Sequence, residues 1–235
     1  MPDALSFSTI RAMNADVNAS SLPAALAELC LHVDNDCIVM IKPSGLHSVP
    51  GIGPDKADSL LSRLRAWDDN IYAVHRLDRD TSGVMVFGRH PAAISNLGKQ
   101  FQARSVEKSY RARVYGEPLH DNGQIELKMR YDPDNKPRQA IDSISGKPSL
   151  THWSVISRHN NWSLLELIPI TGRTHQLRLH MSSINHPILG DSLYAHDDAK
   201  NMSPRLCLHA YCLSFNHPSS NERLTFSHPE NFNQP

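Results

Sequence analysis

The segment His75-Arg76-Leu77-Asp78-Arg79-Asp80-Thr81-Ser82-Gly83 runs straight into Val84-Met85-Val86-Phe87. An apolar run that short, entered through turn-forming residues, reads as a buried strand, so the fold has to be assembled around it. The same segment delivers one carboxylate, Asp78, between two arginines at the strand's entrance. A carboxylate kept ionised there is a potential covalent catalyst toward a glycosidic or heteroaromatic carbon, and in an enclosed site it needs a cation or several donors. On spacing alone, Asp78 serves equally well as a turn cap ahead of Thr81-Ser82-Gly83.

The surrounding pattern is strand-rich. Cys37 to Lys42 reads as a strand stopped by Pro43, and Pro50-Gly51-Ile52-Gly53-Pro54 as a loop. Helical spacing covers Ser59 to Trp67, and a strand over Tyr72 to Leu77 leads into Asp78. Pro91 to Arg104 suits a helix with proline in its first turn. Tyr110, Ala112 and Val114 then alternate with Arg111, Arg113 and Tyr115, so Tyr110 and Arg111 point opposite ways. Asp132 to Pro137 is a loop, Leu150 to Ser157 and Trp162 to Ile170 form a hairpin, and Thr174 to Ser183 reads as a short helix broken at His186-Pro187. Short strands follow near Leu208 to Phe215 and Arg223 to Phe226. The expected class is α+β, with a mixed, largely antiparallel sheet flanked by helices and loops.

At 235 residues, with 40% apolar and 20% charged, the chain has the length and composition of one soluble domain. It contains no apolar run of membrane-spanning length and no export leader, and four cysteines without CxxC spacing suggest reduced thiols in a cytoplasm. Net charge is zero, which argues against indiscriminate polyanion binding and leaves room for a local basic face. Lys99, Arg104, Lys108, Arg111 and Arg113 against Glu107 form such a stretch; alone, it reads more readily as a solvated helix and strand surface than as a phosphate contact. His175 and His180 diverge on a helix, and Cys207 and Cys212 lack zinc-ligand spacing, so no metal is expected. No Gly-x-Gly-x-x-Gly or P-loop pattern supports a nucleotide cofactor.

Four ordered segments narrow the reading: Lys42-Pro43-Ser44-Gly45-Leu46, the stretch from His75 to Gly83, Lys108-Ser109-Tyr110, and Gly172-Arg173-Thr174-His175-Gln176-Leu177-Arg178-Leu179-His180. Together they resemble the RluA family of pseudouridine synthases, whose nucleophile segment reads His-Arg-Leu-Asp, two variable residues, then Thr-Ser-Gly. The likeness runs from about residue 34 to 227 and includes His186 to Asp191 and Leu208-His209-Ala210. It implies a single catalytic domain over 34–235, preceded by an arm over 1–33 too short for the S4-type RNA-binding domain many members carry. It also implies an RNA partner and no cofactor; since the sequence shows no exposed heptad or repeated apolar face, a monomer is the default state.

The resemblance assigns roles that isolated residues would not carry. Asp78 becomes the nucleophile and Arg173 the guanidinium that keeps it charged. Tyr110 stacks on the target base and is a candidate for removing the C5 proton. Leu177 lies against the pyrimidine, and Arg76 fills the gap left when uridine leaves the stack. His75, Thr81 and Lys108 complete the expected substrate-binding set. Read alone, Tyr110 and Leu177 would be core residues, Arg173 a surface arginine and Arg76 a phosphate or salt-bridge contact.

Ser48-Val49-Pro50-Gly51 and Asn135-Lys136-Pro137-Arg138-Gln139 resemble the family's dual-specificity type, which modifies tRNA anticodon stem-loops and large-subunit rRNA, although loop positions such as His47 depart from it. A TruC-type tRNA specificity, an RNA-binding or RNA-folding module with incidental catalysis, and a hydrolase pairing Asp78 with a histidine are the rival readings. The sequence does not choose among attack on C6, attack on C1′ and assisted glycal formation.

Overall fold

The computed structural model describes residues 22–232; most of the N-terminal arm, residues 1–21, lies outside them. The apolar run forms β4 (Ser82–Gly88), with all seven residues buried. On one edge it pairs with β2 (Cys37–Lys42) in unbroken antiparallel register from Cys37↔Gly88 to Lys42↔Gly83. β1 (Cys30–Val33) adds outside β2, and Leu22 and Leu26, the latter in the short helix α1 (Ala24–Ala27), enter the first core cluster. A boundary at 33/34 would thus cut the β1–β2 hairpin, and residues 22–33 pack as part of the folded domain.

The other edge of β4 divides. Near its start, Ser82 and Gly83 pair in parallel with His209 and Ala210 of β10 (Leu208–Asn216). Near its end, Phe87 and Gly88 pair with β3, which is only Tyr72–Ala73. Between them the Val86 N–H donates to His75 Nε2 at 3.1 Å. The strand expected to reach Leu77 therefore stops at Ala73: a side chain replaces the ladder partner, the backbone leaves the sheet, and Asp78 arrives on a turn.

From β10 the sheet continues through β5 (Glu107–Tyr115), β9 (Trp162–Pro169), β8 (Lys147–His159), β6 (Asn122–Tyr131) and β7 (Gln139–Ile141), while β11 (Arg223–Ser227) also pairs with β10. The ladders other than β4–β10 are antiparallel among the described residues, giving the mixed, largely antiparallel sheet that was expected. Four further helices flank it: α2 (Leu60–Arg65), α3 (Pro91–Ala103), α4 (Gln176–Ser183) and α5 (Asp197–Asn201). A capping box between Ser59 and Ser62 starts α2, and Pro91 at the first position starts α3.

One core cluster gathers Met40, Leu60, Leu64, Met85 and Phe87; a second gathers Ala112, Val114, Leu165, Leu167 and Leu177. Tyr110 packs against both, so it sits where the two halves of the sheet meet.

Candidate active site

The turn that carries Asp78 is held from behind. The Thr81 N–H donates to the Asp78 carbonyl at 3.2 Å. Ser48 Oγ donates to the Leu77 carbonyl at 2.7 Å, Lys42 Nζ to that of Arg79 at 2.8 Å, and Ser44 Oγ to that of Asp80 at 2.8 Å. Four consecutive carbonyls are thereby fixed, three of them by side chains of the Lys42 to Ser48 segment, so this distant stretch acts as the scaffold of the Asp78 turn. Gly83 completes the arrangement. Its φ is +123°, and a Cβ there would lie 2.3 Å from the Ala210 carbonyl oxygen, so only glycine lets β10 approach.

Asp78 opens onto a cavity of about 620 Å³ lined by Arg76, Thr81, Lys108, Tyr110, Arg173 and Leu177 together with Phe101, Arg104, His175 and Arg178. All eight residues expected at a site, His75 included, line this one space. Burial, reinforced by the charge of Asp78, raises the Tyr110 phenol well above its usual pKa. Leu177 is buried in α4. Burial and Arg104 lower the Lys108 ammonium. Arg76 is exposed at the mouth, with no hydrogen bond or ion pair among the described residues. His75 stacks on Phe101 with centroids 4.5 Å apart, and its bond to Val86 makes it a wall of the site as much as a contact for a substrate.

Arg173 is placed differently from expectation. It is exposed, its Nε donates to the Pro148 carbonyl at 3.2 Å, and it forms no ion pair among the described residues. Asp78 instead has His175 beside it, whose Nε2 lies 3.9 Å from Asp78 Oδ2, and its charge reaches Arg178. Arg178 is 2% exposed and grips Asp191 with both arms at 2.8 and 2.6 Å. Burial opposes its charge, but Asp191 and the more distant Asp78 hold its pKa above the usual guanidinium value. Burial draws His175 below the ordinary imidazole value while Asp78 pulls the other way. Arg178 stands in the same motif as Arg173; it lies in a helix buried on every side from Gln176 to Met181, where an arginine needs a buried partner.

The basic stretch divides by strand periodicity. Arg104 and Lys108 face the cavity, whereas Arg111 lies 3.6 Å from Glu166 and over Tyr211, and Arg113 lies over Trp162 and Phe232.

A second group of ionisable side chains lies where the β1–β2 turn meets the start of α3 and the β10–β11 turn. Asp34 Oδ2 receives His32 Nε2 at 2.7 Å and His217 Nε2 at 3.0 Å, and His90 Nε2 meets Asp36 Oδ1 at 3.1 Å. The Nδ1 atoms of His217 and His90 accept backbone N–H groups of Ser220 and Ala93, which leaves the protons of the neutral rings on Nε2. His217 and His90 are thus donors tying three segments together, and at each of them the lone pair a metal would take at Nε2 is occupied by a proton.

Residues 36–183 match the family described as RNA pseudouridylate synthase. The chain is 46% identical over 203 residues to the dual-specificity RNA pseudouridine synthase RluA of Pasteurella multocida, covering 86% of this chain and 93% of the relative. It is 42% identical over the same length to the protein of that name in Escherichia coli strain K12, with the same coverage. Among solved structures it resembles human RNA pseudouridylate synthase domain containing 1, with a TM-score of 0.72, 27% identity, and coverage of 84% of this chain and 81% of that one.

Proposed function

The chain belongs to the RNA pseudouridylate synthase family, and we propose that this pseudouridine synthase converts specific uridines of tRNA anticodon stem-loops and of large-subunit rRNA through Asp78. The observation that carries the assignment of the site is the fixed Asp78 turn facing Tyr110 and Leu177 across one cavity.

The reaction breaks the N1–C1′ bond and forms a C5–C1′ bond; C5 gives up a proton and N1 gains one. Atoms and electrons balance within the nucleotide, so proton transfer and a nucleophile suffice. Asp78 attacks C1′ or C6, or assists glycal formation. Its turn carbonyls are already hydrogen-bonded, so the carboxylate is presented without reorganising the loop.

Tyr110 stacks on the extruded base and Leu177 bounds the pyrimidine. As a base toward C5, Tyr110 is suited to the second half of the reaction. Burial and the Asp78 charge together keep the phenol protonated, and the second influence disappears once Asp78 is consumed in a covalent bond. Arg76, exposed at the mouth, is free to occupy the stack that the uridine vacates, offsetting an unstacking cost of a few kcal/mol. Arg104, Lys108 and Arg173 line the approach for phosphates. Arg178 supplies the positive environment for Asp78 and His175 Nε2 its nearest polar contact, with Arg173 able to swing toward it from its bond to Pro148.

The catalytic unit takes in residues 34–235 together with residues 22–33, whose last strand joins the sheet. It is placed in the cytoplasm as a monomer. Four free cysteines fit a reducing compartment, and no helix of the described residues is long and apolar enough to cross a membrane.

Tritium release from C5-labelled uridine in tRNA and rRNA transcripts, comparing the intact chain with Asp78→Ala, tests this reading. Release from both RNAs that vanishes in the variant is expected. Release from tRNA alone, mapping outside the anticodon arm in a fragment series, would move the specificity to the TruC type. No release from folded wild-type protein would leave an RNA-binding module.

A further inference from the structure

Asp78 is joined to the far edge of the sheet through two side chains outside the expected set. The Gln139 N–H, at the start of β7, donates to Tyr194 Oη at 2.7 Å, and Tyr194 Oη lies 2.9 Å from His175 Nδ1. The Gln139 N–H is a donor and cannot take the phenol proton, and among the described residues His175 Nδ1 is the acceptor within its reach, so the phenol proton is directed there. The neutral imidazole then carries its hydrogen on Nε2, the atom 3.9 Å from Asp78 Oδ2.

Both residues are held firmly. Asp191 Oδ1 accepts the backbone N–H groups of Leu193 and Tyr194, Ser182 Oγ donates to the Tyr194 carbonyl, and Arg178 lies over the Tyr194 ring at 5.4 Å. His175 adopts φ 54°, ψ 18°, a left-handed conformation that costs a non-glycine residue about 1 kcal/mol. Its retention at the N-cap of α4, where the side chain makes no capping hydrogen bond, is explained by where it sends the ring.

We propose that Tyr194 and His175 are positioning residues for the pseudouridine synthase reaction: a relay from Gln139 through Tyr194 Oη fixes the His175 tautomer, and His175 Nε2–H orients the Asp78 carboxylate for attack. Apo contacts of this kind close when substrate is bound, and the 3.9 Å separation becomes a hydrogen bond to Oδ2 that leaves Oδ1 free to react. The outer end of the relay lies on the β6–β7 hairpin, whose surface mixes exposed Lys128, Lys136 and Arg138 with exposed Glu126 and Asp134. Orientation of the nucleophile is thus tied to a polar hairpin at the far edge of the sheet.

The test uses Tyr194→Phe, which keeps the ring and removes the hydroxyl, and His175→Asn, which tolerates the left-handed backbone and keeps an acceptor near Nδ1 but cannot reach Asp78. Each is expected to lower kcat for tritium release about tenfold, the worth of one hydrogen bond, with KM for the RNA within about twofold. The double variant is expected to fall no further than His175→Asn alone, because both act on one path. Imidazole ¹⁵N shifts, with His175 identified by its absence from the variant, should show protonated Nε2 in the wild type and a tautomer mixture in Tyr194→Phe. A wild-type kcat in Tyr194→Phe, additive losses in the double variant, or a wild-type His175 protonated on Nδ1 would overturn the relay. None of these results alters whether the wild-type chain releases tritium.

Discussion

Lys42 Nζ donates to the carbonyl of Arg79, 37 positions along the chain, at 2.8 Å, and through this bond the end of β2 supports the turn that presents Asp78. The same ammonium donates to the carbonyls of Pro43 and Leu46, both at 2.7 Å, so its three protons meet three oxygens. Burial pushes Lys42 down to about 7, while Asp80 and Asp78 pull it back toward the charged form. Lys42→Met preserves much of the volume and leaves those carbonyls without a donor. It is expected to lower unfolding stability by about 2 to 5 kcal/mol and to reduce kcat more than KM. Urea unfolding together with tritium release measures both; unchanged stability would show that the loop does not depend on the ammonium.

Gly83 meets the Ala210 backbone at a distance no Cβ tolerates. Gly83→Ala must separate β4 from β10, disturbing the parallel junction beside the Ser82 to His209 hydrogen bond of 2.8 Å. A loss of more than about 2 kcal/mol is expected, with faster amide exchange at Ser82 and Ala210. Wild-type exchange rates there would mean that the approach is dispensable.

The buried strand, the Tyr110 alternation and the β8–β9 hairpin were legible because burial on one or both faces writes a clear period into the sequence. β6 carries the same kind of signal, since Ile125, Leu127 and Met129 alternate with the exposed Gln124, Glu126 and Lys128; its absence from the sequence reading is a missed period of two. The early end of the strand before Leu77 was hidden: nothing in the spacing says that the His75 ring will take the Val86 N–H. Asp78, Tyr110 and Leu177 could be placed by motif, but the partner of Asp78 depends on which way a side chain turns after the backbone folds. Arg173 turns to Pro148, and Arg178 turns inward to Asp191.

Tyr110→Phe separates stacking from proton removal. The ring, its contacts with both core clusters and its place beside Leu177 survive, whereas the oxygen does not. RNA binding is expected within about twofold of wild type, with turnover reduced by about a hundredfold or more, the usual scale of a lost general base. Filter binding and tritium release on the same RNA check this. Turnover close to wild type would reduce Tyr110 to a stacking platform and require another base for C5.

Acid should destabilise the protein before its carboxylates protonate. His180 is fully buried, its Nε2 meets Ser149 Oγ at 2.8 Å and its Nδ1 has no partner; burial pushes its pKa down to about 4. His209, bonded to Ser82 through Nδ1 and to the His228 carbonyl through Nε2, is likewise pushed by burial to about 4. An unfolded histidine titrates near 6.5, so above that pH both residues are neutral in either state and their contribution to stability is complete. As pH falls from about 6.5 toward 4, the unfolded chain takes up protons that the folded one refuses, and stability declines. By pH 5 the loss is expected to be about 1 to 2 kcal/mol for each histidine. Carboxylates held below their usual range, such as Asp34 under the hydrogen bonds of His32, Cys37 and Asp36 despite its burial, give up their share only below about pH 4. Urea unfolding at pH 7.5, 6 and 5 should therefore show a falling midpoint. The fall should be shallower in His180→Gln, which keeps a donor toward Ser149 and cannot titrate. A midpoint constant across that range would mean that these rings accept a proton without leaving their buried places.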